Sequence, residues 1–431
     1  MKTIVYGTKA HAAWKARLPR AAAPRREVTR AVLSIVRAVE RGGDAALVRL
    51  TQRFDGVRLT PARLRVKPDE VRRLAARADA EVVAALRRMA ARIEAFHRGQ
   101  LAPGFRRELP GGSVLEEVVS PLGAAGLYVP GGAGAYPSSV LMNAIPAKVA
   151  GVPRIVIVTP PRTLEANPAV AAAIVVAGVE ENVFRVGGAQ AIAALALGTR
   201  TIAPVDAIVG PGNAYVAAAK RLVRGRVAID SEAGPSEVAI LADDSADAGL
   251  VAADLLAQAE HGSGDEAVVL VTPSRELAAE ASRLVAEGLR SVANVAQARR
   301  AVARNAAVVL VRDLDEGVAA VNELAAEHVE VMARGASRLA RRIVGGAVFV
   351  GPWTPVAVGD YGIGPNHVLP TGGAARFASP LSVRDFQRRH SVVTMTREGL
   401  AAVTEDVVRV AMAEGFRGHA QSVLARFEGE E

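Results

Sequence analysis

Residues 183 to 223 read VFRVGGAQAIAALALGTRTIAPVDAIVGPGNAYVAAAKRLV, and the texture of this stretch changes at each glycine cluster. VFRVGG (183–188) and DAIVGPG (206–212) are short, apolar, rich in β-branched residues and closed by glycine, as strands are. AQAIAALALG (189–198) and NAYVAAAKRLV (213–223) are longer runs of small and straight-chain residues, as helices are. Just upstream, RIVIVTP (154–160) and PAVAAAIVVAGV (168–179) repeat the same order of strand and helix. Strands alternating with helices over short turns predict a parallel sheet wound by helices, an α/β fold.

Downstream the alternation begins again with VAILADD (238–244), a helix reaching about residue 260, EAVVLVTPS (266–274), a helix over 275–290, AAVVLVRDL (306–314), a helix over 315–332 and GGAVFVG (345–351). Two such sets predict two doubly wound domains, with ligands bound at the carboxyl ends of the strands. Residues 26–100 carry apolar residues at spacings of three and four and predict a helical N-terminal portion, with Asp44 opening one helix as its N-cap. VLEEVVSPLGAAGLYVPGG (114–132) predicts strands and turns, and the tail from 381 reads as mostly helical and charged. Domain boundaries are expected at 1–25 for an N-terminal arm, 26–110 with 238–380 for a first domain, 111–237 for a second, and 381–431 for the tail.

The chain has 431 residues, of which half are apolar and 23% charged, ordinary values for a globular protein with a large core. It has no cysteine, which excludes disulfides, thiolate metal sites and a thiol nucleophile. The longest apolar run, 168–179, is short of the roughly 20 residues needed to span a bilayer. The N-terminus lacks the apolar segment of a secretory signal, so a cytoplasmic protein is expected. The net charge of +9 comes mainly from arginines spread along helices with few aromatics, which argues against nucleic-acid binding.

Three strand-to-helix turns are candidates for binding. YVPGGAGAYPSS (128–139) fails the dinucleotide fingerprint, because Pro137 stands where the third glycine belongs and RIVIV stands where a ribose-binding acid is expected. Pattern alone leaves it either a binding loop or a plain connection. The turns before Gln190 and Asn213 repeat the design of glycine followed by an amide, and together the three favour a nucleotide or substrate cleft. Of seven histidines, His11, His97 and His390 read as surface residues, and His367 sits in a Gly/Pro loop that it could either orient or use to touch a ligand. Gln258 and His261 share one helix face, Glu327 and His328 form an adjacent acid and base, and Glu414 and His419 flank a glycine-broken helix end. Asp360 is a loop carboxylate suited to a metal, but spacing alone does not establish a metal site.

Taken in order, these segments, among them GLYVPGGAGAYPSSVLMNAIPAKVAGV, VGPGNAYVAAAK, AGPSEVAILAD, DLLAQAEH, ELAAEHVEV, GDYGIGPNHVLPTGGAARF and LSVRDF, closely resemble the histidinol dehydrogenase family over essentially the whole chain. The resemblance implies two Rossmann-like domains and the oxidation of L-histidinol through L-histidinal to L-histidine with two NAD, the last two steps of histidine biosynthesis. It implies one zinc per subunit held by Gln258, His261, Asp360 and His419, and NAD contacts from Tyr128, Gln190 and Asn213. Ser236, His328 and Glu414 would join the zinc ligands around the substrate. His328 would take the alcohol proton, and Glu327 would activate the water that hydrates the aldehyde, since no cysteine can trap it. The family resemblance further implies a homodimer with interlocked tails, Glu414 and His419 reaching the neighbouring subunit's site. IDSE (229–232), with its additional acid Glu232, and HGSGDEA (261–267) depart from the family pattern. They leave open a related dehydrogenase of another small alcohol, such as a sulfonated diol.

Overall fold

The structure is a computed structural model that describes residues 1–19, 26–131, 136–231 and 234–428. It comprises two compact units, Met1–Gln100 with Leu122–Phe386, and Leu101–Pro121 with Gln387–Glu431. The larger unit holds two six-stranded sheets. In the first the spatial order is Lys2–Val5 (β1), Ala307–Leu310 (β12), Ala267–Thr272 (β11), Glu237–Ala242 (β10), His328–Met332 (β13) and Ala347–Val350 (β14), every pair parallel. In the second it is Arg65–Val66 (β2), Val183–Arg185 (β7), Arg154–Thr159 (β6), Ala124–Tyr128 (β5), Ala207–Val209 (β8) and Ala228–Ile229 (β9). Only β2, which runs antiparallel to β7, departs from parallel pairing there. Each sheet is doubly wound, its strand order reversing direction between β10 and β13 and between β5 and β8.

The continuous apolar runs follow from burial on both faces. Odd-numbered Ala125, Leu127, Ile155 and Ile157 pack on the helices Ala80–Arg98, Pro137–Val149 and Pro168–Ala177, whereas Ala124, Tyr128, Val156 and Val158 face the opposite cluster. The first sheet divides likewise, with Val238, Ile240 and Leu270 on one face and Ala239, Leu241, Val329 and Val331 on the other.

Several elements differ from expectation. The helices of 26–98 pack on the second sheet, not the first: Val32, Ile35, Val39, Leu47 and Leu50 join the cluster of Tyr128, Ile192 and Val216, and β2 adds an edge strand. The N-terminal arm contributes an edge strand to the first sheet instead, with Ile4 opposite Val309. The helix expected over 315–332 ends at Leu324, where Ala325 turns left-handed (φ 49°), and HVEVM continues as β13. Alternating valines suit a buried strand better than a helix. The helix break expected before Asp44 occurs at Gly43 (φ 47°, ψ −131°), and the Asp44 carboxylate accepts hydrogen bonds from the Thr201 amide and hydroxyl.

The smaller unit is a three-stranded antiparallel sheet ordered Gln387–Thr394 (β15), Val114–Pro121 (β4), Arg106–Glu108 (β3), with the helices Arg397–Ala413 and Arg417–Leu424. The tail thus begins with a strand where helix was expected. Thr396 caps the first of these helices and is itself held by Ser113, whose hydroxyl accepts from the Thr396 amide at 3.1 Å.

In the larger unit the turn after β8 is fixed by a buried ion pair. Lys220 bonds Asp230 and donates to the Gly210 carbonyl at 3.0 Å, while Asp230 accepts from the Gly210 amide at 2.8 Å. Gly210 has φ 111°, and a Cβ there would lie 2.2 Å from the Tyr128 carbonyl oxygen. Lys220→Met leaves Asp230 buried without its cation and is expected to cost about 3–5 kcal/mol. Lys220→Met with Asp230→Asn, which restores a neutral acceptor for Gly210, is expected to lose less, and urea denaturation of the two variants measures the difference.

Candidate active site

The chemistry-bearing side chains gather at the amino ends of β10 and β13. Glu237, the first residue of β10, uses both of its backbone polar groups on side chains. Its amide donates to Glu327 Oε2 at 3.1 Å, and its carbonyl lies 3.1 Å from His328 Nδ1. The same Nδ1 lies 3.1 Å from Gln258 Oε1. A carbonyl oxygen cannot donate, so Nδ1 carries the proton and Nε2 keeps a free lone pair. Ser236 hydrogen-bonds Glu327 as well. Burial pushes Glu327 up to about 7 and drives His328 down to about 4, so the adjacent acid and base exchange their usual order.

Gln258 and His261 follow on the helix Ala248–Ala259 and its end. This helix returns from the carboxyl edge of the first sheet to its amino edge, which brings its last turn beside His328. Gln258 is buried, and its Nε2 has no partner. His261 is exposed, with Nδ1 3.4 Å from the Ala257 carbonyl. Asp360, on the helix Val356–Tyr361, is within electrostatic reach of Glu327 and His328, as is His261. Among the described residues no group of three His, Cys, Asp or Glu side chains is close enough to hold a metal. Gln258, His261 and Asp360 nevertheless fit zinc in kind: amide oxygen, imidazole and carboxylate are its donors in a chain without thiolates. Gln258 Oε1, which bonds His328 Nδ1, keeps a second lone pair for a metal, and the unpartnered Nε2 is free to donate to a bound ligand.

A cavity of about 1100 Å³ lies along the carboxyl edge of the second sheet, lined by Tyr128, Gln190 and Asn213 and, from the first sheet's side, by Ser236 and His261. All three sequence-predicted turns that the structure describes therefore meet in one space. The Tyr128 hydroxyl accepts from the Gly188 amide at 3.1 Å. Gly188 sits at φ 64°, a left-handed conformation that favours glycine, and a Cβ there would come 2.9 Å from Gln190 Oε1. Asn213 Oδ1 caps the next helix by accepting from the Tyr215 and Val216 amides. A nucleotide fits this cavity in size and in its exposed helix N-termini. A second cavity of about 560 Å³ is lined by His328, Asp360 and His367.

Glu414 and His419 belong to the smaller unit. Both are exposed, and His419 stacks on Phe416 with ring centroids 5.0 Å apart. Glu232 and the middle of the 128–139 loop lie outside the described residues.

Two of the three histidines read as surface residues are buried. His11 packs between Tyr6 and Trp14, and His97 places Nδ1 2.8 Å from the Ile93 carbonyl. Only His390 is exposed. Lying beside Arg, Lys or Ala in sequence says nothing about which way a helix face turns. His367 orients the Asp360 segment, its Nδ1 lying 3.2 Å from the Asp360 carbonyl, and burial lowers its pKa to about 4. Sequence reasoning missed the part played by Glu237. Its backbone does the work, so its side-chain identity carries no signal.

His328 and His367 resist protonation in the folded chain down to about pH 4, whereas unfolded imidazoles take up protons near 6.5. The stability these two imidazoles contribute by staying neutral is therefore present above pH 6.5 and is lost as the pH drops from 6.5 towards 4, while the raised carboxyls of Glu327 and Glu330 act in the opposite sense. The imidazole contribution is read as a difference: in urea denaturation of zinc-free protein between pH 7 and 5, His367→Gln is expected to gain stability relative to wild type as the pH falls, and an unchanged difference would contradict the assignment.

Comparison with known proteins finds likeness over nearly the whole chain. The profile described as histidinol dehydrogenase matches residues 18–427. The histidinol dehydrogenase of Bradyrhizobium diazoefficiens is 47% identical over 401 residues, 93% of each chain. That of Geobacillus kaustophilus is 48% identical over 404 residues, 93% of this chain and 94% of the relative. The crystal structure of histidinol dehydrogenase from Elizabethkingia anophelis superposes with a TM-score of 0.92 at 33% identity, covering 99% of this chain and 98% of the other. The two doubly wound sheets, the paired Glu327 and His328 and these whole-length likenesses lead to one conclusion: the chain belongs to the histidinol dehydrogenase family.

Proposed function

We propose that this protein oxidises L-histidinol to L-histidine through L-histidinal, using two NAD and one zinc per subunit. The observation that supports this best is the pair Glu327 and His328, held on one backbone residue beside Gln258, with His261 and Asp360 in electrostatic reach. When bound, NAD supplies the acceptor for each hydride, and zinc supplies a positive template for the amino and imidazole nitrogens of the substrate. Gln258, His261 and Asp360, with His419, are the zinc ligands of this proposal; Tyr128, Gln190 and Asn213 contact NAD; Ser236, His328 and Glu414 position the substrate.

In the first oxidation, His328 Nε2 takes the alcohol proton as hydride leaves the carbon. The Glu237 carbonyl holds the Nδ1 proton, and Asp360 favours the cation that forms. The product is an aldehyde, which carries no hydride to give until water adds. Glu327, with a pKa near 7, suits the removal of a proton from that water, and the resulting hydrate loses the second hydride to give the carboxylate. Ser236 and the Glu237 amide keep the Glu327 carboxylate facing the site.

Purified, zinc-loaded protein is expected to yield two NADH for each L-histidinol. Glu327→Gln is expected to lower oxidation of L-histidinal by about 10²–10⁴, the usual worth of a general base, with a smaller effect on oxidation of the alcohol. Absence of turnover at stoichiometric zinc, or faster oxidation of a sulfonated diol, would overturn the assignment.

A homodimer completes the proposal. Val403, Val407 and Val410 are exposed at helical spacing on Arg397–Ala413, with Met412 and Phe416 exposed beyond them. Such an apolar stripe suits burial against a second copy. It also suits Glu414 and His419 acting in the partner's site, and the reaction belongs in the cytoplasm with the rest of histidine synthesis. His261→Ala and His419→Ala, each inactive alone, are expected to regain part of the activity when mixed under conditions that exchange subunits, because one site of each hybrid dimer is then intact. Continued inactivity of the exchanged mixture would mean that His419 serves its own subunit.

A further inference from the structure

We propose that Asp254 and Glu330 form a carboxylic acid–carboxylate pair that fixes the spacing of the three elements carrying Gln258, His328 and Asp360. It rests on the zinc-dependent function proposed above and names two positioning residues for it. Glu330 is fully buried on β13, on the sheet face shared by Val238, Ile240 and Phe349, and its carboxyl lies close to that of Asp254. Glu330 Oε1 accepts from the Val356 amide at 2.9 Å, while Oε2 is buried with no hydrogen-bond donor facing it. Two ionised carboxylates would repel in so apolar a setting, so one proton between them is what makes the contact attractive. Burial and Asp254 together push Glu330 up to about 8, and burial raises Asp254 as well, which agrees with a retained proton.

The positions of the two residues give the pair its consequence. Asp254 lies one helical turn before Gln258 on Ala248–Ala259. Glu330 lies two residues after His328 on β13, on the same face of the sheet. Val356 opens the helix Val356–Tyr361, one turn before Asp360. A single side-chain pair therefore joins three elements, each at one step from a residue of the candidate site. An aliphatic pair would fill the same space more cheaply, but without a direction to fix the register of the two helices on the strand.

The test is zinc affinity of the full-length protein by chelator competition, measured beside NADH affinity and far-UV circular dichroism. Glu330→Gln copies the protonated acid, since it can accept from Val356 and donate to Asp254, and is expected to keep wild-type zinc affinity. Glu330→Leu is expected to weaken zinc by about 10–100-fold, the range for lost support of a ligand shell, with NADH affinity unchanged. Asp254→Ala, at the less buried partner, is expected to do the same and carries the test if Glu330→Leu does not fold. The double variant Asp254→Ala/Glu330→Leu is expected to be no worse than either single change. Unaltered zinc affinity in Glu330→Leu or Asp254→Ala, a Glu330→Gln as impaired as Glu330→Leu, or additive losses in the double variant would overturn the pair while leaving the proposed function standing. A wild-type protein that takes up no zinc would overturn both.

Discussion

The first residue of an interior parallel strand has an amide and a carbonyl in the plane of the sheet, and these polar groups cannot be buried unpaired. At the start of β10 the backbone of Glu237 is satisfied by Glu327 and His328, which belong to the neighbouring strand β13 and the residue before it. The same two bonds that complete the sheet thus fix both groups proposed for the reaction. They also set the protonation pattern. His328 is held as the Nδ1–H tautomer, and the burial that comes with this position shifts acid and base in opposite directions. A mutation that loosened the β10 and β13 register would therefore alter fold and chemistry together.

Binding at the carboxyl ends of strands, the general expectation for doubly wound sheets, holds for only one of the two sheets. Tyr128, Gln190 and Asn213 follow β5, β7 and β8 at the carboxyl edge of the second sheet. Ser236, Glu327 and His328 stand at the amino edge of the first. The cavity carries lining from both, so the carboxyl edge of one sheet, proposed to hold the cofactor, meets the amino edge of the other, where the acid and base stand. The helix Ala248–Ala259 explains why the first sheet can contribute from that side: it runs back along the sheet and delivers Gln258 and His261 to the amino ends.

Strand and helix alternation was legible because parallel strands buried on both faces carry continuous apolar runs, as AVVLV (267–271) and IVIV (155–158) do. HVEVM was not, because its histidine and glutamate are polar residues inside a core and disguise the strand as the end of a charged helix. Which sheet the helices of 26–98 cover depends on contacts more than fifty residues away along the chain, such as the packing of the helix of Leu47 on that of Ile192, and no local pattern encodes them. In the site, the adjacency of Glu327 and His328 and the helical spacing of Gln258 and His261 are local and could be read. Asp360 and the whole-length likeness needed the family. Asp254 and Glu330 would read as solvated charges in any periodicity argument, since nothing in DLLAQ or HVEVM states that both carboxyls face inward.

Two oxidations at one carbon place a demand on the site that a thiol would otherwise meet. Without cysteine the aldehyde is not covalently tethered, so it must be hydrated before it can leave, and the substrate cannot be shifted from one base to another across the cavity. In the proposed reaction Glu327 and His328 meet this demand because they share one backbone anchor, with His328 Nδ1 only 3.6 Å from Glu327 Oε2. The carbon can stay where it is while the proton acceptor changes. In the proposed reaction His328, being a weak base at this depth, returns its proton readily and is neutral again for the next turnover, and Glu327, a stronger base than an exposed carboxylate, suits the activation of water. The raised basicity of the Glu327 carboxylate, a direct result of burial at the end of β10, fits it to the hydration step of the proposal.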